Sequence, residues 1–343
     1  MFEEDIMKRI LLLVLILLLI TSVKASILLN GAGATFPYPL YARWFYDFEK
    51  ISGIKVNYQA IGSGAGIQQI QAGTVDFGAS DSPLSSKDQQ ASNLIMIPSV
   101  AGGIAIVYNI PGVGKGLKLS REVIADIFLG KIKTWDDPKI TSLNPDLKIP
   151  KINITVVRRS DGSGTTDIFT HFLSSVSPEW KEKVGAGTSV NWPTGIGGRG
   201  NMGVAGYIKN IVGTIGYLEF TYAVQNNLPY AMVKNKAGNF VYPEIPNIEA
   251  ALENFPVQKD FYVYPIDAKG KDSYPISGYT FLLIRKNQGN LEKAKALISL
   301  VNWIYKEGDK TAKDLYYVPL PQKVKSMALE RLKELNYQGK PIR

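Results

Sequence analysis

Three times in this chain an extended apolar or alternating stretch runs into a glycine-rich segment bearing a hydroxyl, and each time an amphipathic stretch follows. The three segments are Gly31-Ala32-Gly33-Ala34-Thr35-Phe36, Gly62-Ser63-Gly64-Ala65-Gly66 and Asp161-Gly162-Ser163-Gly164-Thr165. A strand that turns through glycine into a helix is the unit of α/β architecture, in which strands lie largely parallel and such loops gather at their carboxyl ends. The first N–H groups of a helix have no intrahelical partner, and they point outward with the positive end of the helix dipole. An oxyanion can bind there, and glycine lets backbone approach it without a Cβ clash. The hydroxyls of Thr35, Ser63, Ser163 and Thr165 add donors. One such loop alone is most often only a turn. Three together suit a small tetrahedral anion, which needs donors from several directions.

The flanking pattern supports this fold class. Lys55–Ala60 alternates as a strand, Ile154–Arg158 reads as a third strand after Ser26–Leu29, and Gly103–Asn109 and Tyr279–Arg285 are long apolar strands near which the chain is expected to cross between lobes. Helical spacing places Leu40, Trp44, Phe45, Phe48 and Ile51 on one face of a helix over 39–51, and a second helix is expected around 67–72. Ile168, Phe169, Phe172, Leu173 and Val176 form the stripe of the helix opened by the third loop. Ser120 is an expected N-cap, with Gly130 closing that helix. A length of 343 residues is roughly twice a typical domain. The expected division is lobe I from 26–107 with 278–343, largely helical from Lys286 onward and packed back on the first part, and lobe II from 108–277.

Composition removes several chemistries. With no Cys there is no disulfide framework, thiol nucleophile, iron–sulfur cluster, thiolate zinc site or lipidated cysteine anchor. The only His, His171, lies inside the helix that Ser163 opens and reads as a packed or surface residue. Asp136, Asp137 and Glu179 read as solvent-facing acids, not metal ligands. There is no G-x-x-x-x-G-K-[ST] loop, and Ser163 does not meet the G-x-S-x-G pattern. The net charge is +9, which favours anionic ligands or acidic partners but equally suits an ordinary soluble surface. No dense basic run with interleaved aromatics points to nucleic acid.

Lys8-Arg9 precedes an unbroken apolar run from Ile10 to Ile20, and Val23-Lys24-Ala25 supplies small residues. This reads as a secretory signal peptide over 1–25, cleaved after Ala25, with Met7 an alternative start. The run falls short of the roughly 20 residues that span a bilayer.

Two charged residues flank the loops. Arg159 precedes the third and can present a planar fork of N–H donors. Asp161 either holds that guanidinium or merely forms the turn. Asp81 ends the run Val75-Asp76-Phe77-Gly78-Ala79-Ser80-Asp81. A carboxylate beside an anion makes sense if the anion carries a proton, because an ionised Asp is a pure acceptor. Phosphate keeps a proton near neutral pH, and sulfate does not. Alternatives are a receptor for another tetrahedral oxyanion such as sulfate or molybdate, and a secreted phosphatase. The phosphatase would need a nucleophile with its base, or two metals.

The stretches GAGATFPYPLYARW at 31–44, NYQAIGSGAGIQQI at 57–70, TVDFGASDSPLS at 74–85, FLGKIKTWDDPKI at 128–140, VVRRSDGSGTT at 156–166 and GIGGRGN at 195–201 closely resemble the phosphate-binding proteins of phosphate-specific ABC transporters. IGYLEFTYAVQNNL at 215–228 and DLYYVPLP at 314–321 extend the likeness over essentially the whole mature chain. The resemblance implies a two-lobed periplasmic binding protein fold of type II that closes on inorganic phosphate and delivers it to an inner-membrane ABC permease with its ATPase subunits. No cofactor, metal or catalysis is implied, and a monomer is expected. Carried over by motif, Ala34, Thr35 and Phe36 come from the first loop, the last through its backbone N–H. Ser63 donates from the second, Asp81 accepts the phosphate proton, and Arg159, Ser163, Gly164 and Thr165 donate from the opposite lobe. Gly64 stands where some relatives have a second Ser. Without a Cys to lipidate, a freely diffusing receptor in a periplasm bounded by an outer membrane is expected.

Overall fold

The structure is a computed structural model and describes residues 27–342; the signal peptide expected over 1–25 lies outside the described residues. One mixed sheet runs through the molecule. Its eight strands are β1 (Leu28–Gly33), β2 (Lys55–Ala60), β3 (Phe77–Ser80), β4 (Leu94–Tyr108), β5 (Thr155–Arg159), β6 (Ile196–Gly198), β7 (Thr214–Glu219) and β8 (Ser277–Arg285), in the spatial order β2-β1-β3-β8-β4-β7-β5-β6. At one end β1 is parallel to β2 and β3; at the other β5 is parallel to β6 and β7. Between them β4 pairs antiparallel with β8 through Leu94–Gly103 and then with β7 through Ile104–Tyr108. A single fifteen-residue strand therefore belongs to both halves, and its change of partner falls at Gly103/Ile104. The long apolar run expected from Gly103 begins nine residues earlier, at Leu94. Every one of its residues is buried, which is why it shows no alternation.

Helix α1 (Tyr38–Ser52) buries Leu40, Tyr41, Trp44, Phe45 and Phe48 and ends at Gly53 in the left-handed region. Ile51, expected on the same face, is 72% exposed, because the last turn runs past the edge of what the helix covers. Trp44 Nε1 donates to the Gly308 carbonyl at 3.0 Å, tying α1 to the C-terminal helices. Helix α2 (Ser63–Ala72) begins at Ser63, four residues before its apolar spacing suggests. The Ser120 hydroxyl accepts from the Val123 N–H at the head of the helix Arg121–Phe128, and Gly130 follows its end at φ +73°. Helix α3 (Gly164–Val176) buries Ile168, Phe169, Phe172 and Leu173. Helix α4 (Gly200–Asn210) packs on β5–β7, and the helices Leu291–Glu307, Asp309–Asp314 and Gln322–Leu332 follow β8, with the short strands Asn336–Tyr337 and Lys340–Pro341 after them. Trp135 and Trp180 are fully buried core residues. No helix among the described residues is long and apolar enough to cross a membrane.

Candidate functional site

The first glycine segment is only partly a loop. β1 runs straight through Gly31-Ala32-Gly33, and the turn itself is Ala34–Pro37. The glycines there serve close packing: a Cβ on Gly31 would lie 2.1 Å from the Phe77 ring. The Ala34 N–H is spent on the Ala79 carbonyl at 2.9 Å. Three tyrosine hydroxyls from separate segments donate to the turn's successive carbonyls: Tyr58 to Ala34, Tyr222 to Thr35 and Tyr317 to Phe36, at 2.6–2.7 Å. With its carbonyls fixed from outside, the turn directs the Thr35 and Phe36 N–H groups the other way. Among the described residues nothing accepts from either.

At the second segment Gly62 adopts φ +98°, a conformation closed to most side chains, and Ser63 opens α2 directly. The buried Ser63 hydroxyl accepts from the Asp81 N–H at 3.2 Å and lies 3.5 Å from Asp81 Oδ2. Asp81, at the end of β3, is itself buried. Thr280 on β8 donates to its Oδ1 at 2.6 Å.

Burial pushes the Asp81 carboxyl up from 3.8 to about 7. That value is the net result: the Thr280 hydrogen bond, the Arg159 charge and Ser63 already oppose burial in it, and the Asp167 charge adds to the rise. The folded, ligand-free chain therefore holds a proton between pH 3.8 and about 7 that the unfolded chain gives up. This contribution is full below the unfolded value and lost as pH rises through the folded one. The melting temperature of the ligand-free chain should thus fall across that window, and Asp81→Asn should flatten the fall.

Arg159 ends β5 with its side chain 1% exposed. Its Nε donates to Asp161 Oδ1 at 2.8 Å and its Nη2 to Oδ2, while Nη1 lies 3.3 Å from Thr165 Oγ1. Of the two readings of Asp161, this favours the guanidinium clamp. Burial raises the Asp161 carboxyl, but the Arg159 hydrogen bond and charge, with the Gly200 N–H, outweigh it and hold it below the usual range. The pair is close to neutral as a unit, so the site's pull on an anion comes from oriented donors more than from net charge.

The Ser163 hydroxyl caps α3 by accepting from the Thr166 N–H at 3.1 Å. Gly164 begins that helix so close to the other half of the sheet that a Cβ there would lie 2.6 Å from both Asp81 Cβ and Ser63 Oγ. Asn201, at the start of α4, closes the ring. Its Nδ2 donates to Thr35 Oγ1 at 2.8 Å and lies 3.4 Å from Thr165 Oγ1. Thr35, Ser63, Asp81, Arg159, Ser163, Gly164 and Thr165 thus form one buried cluster drawn from both ends of the sheet. Asn201 and Thr280 belong to it as well, though neither residue type nor spacing marks them in the sequence. Asn201 stood only inside the GIGGRGN stretch, and Thr280 inside an apolar strand. A cleft of about 390 Å³ lined by Thr35, Tyr38, Tyr58, Asp161, Arg199 and Tyr222 opens beside it.

The groups set aside lie elsewhere. His171 Nδ1 is 3.2 Å from Asp167 Oδ1, with its ring stacked on Tyr264. Asp137 caps a short helix by accepting from the Lys139 N–H, and Glu179 pairs with Lys131 and Lys183. Among the described residues no group of three or more His, Cys, Asp or Glu could hold a metal ion.

A sequence profile described as a PBP superfamily domain matches residues 21–307. The chain is 48% identical over 299 residues to "Phosphate-binding protein PstS" of Pasteurella multocida, covering 86% of this chain and 87% of that protein. The chain belongs to the PstS family of the PBP superfamily. The PstS of Haemophilus influenzae is 47% identical over 301 residues, covering 87% of this chain and 90% of that protein. A PstS of Methanocaldococcus jannaschii is 40% identical over 336 residues, covering 89% and 85%. Among solved structures, the periplasmic phosphate-binding protein PfluDING with bound phosphate superposes at a TM-score of 0.70 with 24% identity, covering 88% of this chain and 92% of that one. An ancestral soluble variant of the human phosphate binding protein gives 0.72 with 23% identity over the same shares. At that identity the likeness shows the fold, which is the two-lobed periplasmic binding protein fold. The PstS-family chain thus carries its buried polar cluster where the two halves of that fold meet.

Proposed function

We propose that the chain binds inorganic phosphate between its two lobes, in the periplasm, and delivers it to an ABC importer made of an inner-membrane permease and its ATPase subunits. The lobes are taken as 26–107 with 278–343, and 108–277. The observation that carries the reading is the composition of the cluster: hydroxyl, guanidinium and backbone donors from both ends of the sheet gather around a buried carboxylate, Asp81, that makes no ion pair among the described residues. Thr35, the Phe36 N–H and Ser63 would donate from lobe I, with Ala34 holding their turn. Arg159, Ser163, Gly164 and Thr165 would donate from lobe II, the glycine through its N–H at the head of α3. Asp81 would accept the phosphate proton. No bond is broken in this reading: the Ser163 hydroxyl accepts a capping N–H, and His171 is engaged with Asp167. Calorimetric titration of the mature chain tests it. One phosphate should bind per chain, with no heat from sulfate at the same concentration; no phosphate binding would end the reading.

Donors from both lobes can meet one anion only when the lobes close. Gly164 comes close to lobe I at Asp81 and Ser63, so Gly164→Ala should obstruct closure and leave each lobe intact. Ala in place of Gly favours a helix by about 1 kcal/mol, so the ligand-free melting temperature should hold or rise. Phosphate affinity should fall at least about a hundredfold, or roughly 3 kcal/mol. Equal affinity in the two proteins would mean that α3 does not close on Asp81 and Ser63.

A further inference from the structure

Asn201 is fully buried, and the orientation of its amide is fixed by one bond. The Glu219 N–H, at the end of β7, donates to Asn201 Oδ1 at 3.0 Å. Only the oxygen end of an amide can accept there, so the NH2 end must face the site. It faces two hydroxyls. Thr35 Oγ1 receives Asn201 Nδ2 at 2.8 Å and the Asn201 backbone N–H at 3.2 Å. Thr165 Oγ1 receives Asn201 Nδ2 at 3.4 Å and Arg159 Nη1 at 3.3 Å.

A hydroxyl has two acceptor positions and one proton. When N–H groups fill both acceptor positions, the proton is the only group left to offer. An uncommitted hydroxyl would instead turn to accept from a protonated ligand, and the site would lose its ability to count the ligand's protons. Ser63 and Ser163 follow the same rule more weakly, each accepting one backbone N–H.

Resting on the phosphate reading above, we infer that Asn201 is a positioning residue of the anion site: held by the Glu219 N–H, it commits the hydroxyls of Thr35 and Thr165 to donate to the bound anion. It does so across the lobe boundary, since Thr35 follows β1 and Asn201 opens α4. Asp81 is thereby left as the acceptor for the ligand's own proton.

The test is a double-mutant cycle read by phosphate titration of the full mature chain. Asn201→Ala should weaken binding about tenfold or more in the native background. In a Thr35→Val background the same change should cost about threefold or less, because the nearer of the two hydroxyls it orients is gone and only the longer contact to Thr165 Oγ1, at 3.4 Å, remains. Losses that multiply undiminished, or an Asn201→Ala protein that binds like the native chain, would overturn the assignment. A residue that merely braces the fold would give undiminished losses. If Asn201→Ala does not fold, because the Glu219 N–H is left without a partner, Asn201→Asp keeps that acceptor and replaces only the donor end. Its loss should exceed a hundredfold and shrink about tenfold in the Thr35→Val background; a loss of the same size in both backgrounds would overturn the assignment. Failure of the native chain to bind phosphate would instead sink the functional reading itself, so the two failures are distinguishable.

Discussion

Asp81→Asn should cost the protein its rejection of sulfate. Above about pH 7, where Asp81 is ionised, a sulfate in the native site would bring a fourth bare oxygen against a buried carboxylate with no hydrogen between them. An unsatisfied buried acceptor costs about 1–3 kcal/mol, and more when it is charged. Phosphate avoids this cost by supplying the hydrogen. The Thr280 hydroxyl already donates to Oδ1 at 2.6 Å, while Ser63 Oγ stands 3.5 Å from Oδ2, so Oδ2 is the less engaged oxygen and the one to receive the ligand's proton. The substituted amide removes the charge and can turn an N–H toward any bare oxygen. Phosphate binding should weaken by about tenfold to a hundredfold, and sulfate should become measurable. The preference for phosphate over sulfate should narrow at least about a hundredfold, corresponding to roughly 3 kcal/mol. Competition titration of both anions against the native and substituted chains reads this directly. An unchanged preference would mean that something other than Asp81 reads the proton.

The residues that made the site readable in the sequence are those whose role is partly local. Ser163 before Gly164 caps a helix, Ser63 after Gly62 opens one, and Arg159 and Asp161 lie close enough along the chain to clamp each other. The same holds for the fold: alternation gives Lys55–Ala60 as a strand, and helical spacing gives the buried stripe Leu40, Trp44, Phe45 and Phe48. What could not be read is what tertiary packing decides. Gly31-Ala32-Gly33 has the composition of a loop, yet it is a central strand, because Phe77 packs where a Cβ on Gly31 would project, and α2, through Gly66, crosses against Gly33. Ile51 continues a helical stripe past the end of the surface that stripe covers. Asn201 and Thr280 each touch the site through one polar side chain inside a stretch that looks structural. Neither carries a periodicity or spacing that would single it out; only the meeting of β8 with β3, and of α4 with the first turn, gives them a role.

Removing the Arg159 guanidinium should be the most damaging single change to binding, and a second substitution should reverse part of it. Arg159→Met keeps much of the side chain's bulk and deletes its charge and donors. The direct loss is the charge-assisted bonds to the anion, which are about twice as strong as neutral ones. An indirect loss comes from Asp161. Its carboxylate is largely buried and takes two guanidinium bonds and the Gly200 N–H; stripped of Arg159, it becomes an uncompensated negative charge at the edge of an anion site. Breaking a buried pair from one side costs about 3–5 kcal/mol. Phosphate affinity should therefore fall by about a thousandfold or more at roughly 1.4 kcal/mol per factor of ten, and the ligand-free chain should lose stability as well. Asp161→Asn added to Arg159→Met removes the stranded charge and should recover at least about tenfold in affinity and most of the lost melting temperature. Arg159→Lys should fall between the two, because an ammonium supplies the charge but cannot reach both Asp161 oxygens and Thr165 in one plane. If Asp161→Asn brought no recovery in the Arg159→Met background, the guanidinium would act on the ligand alone, and the clamp at Asp161 would be incidental to binding.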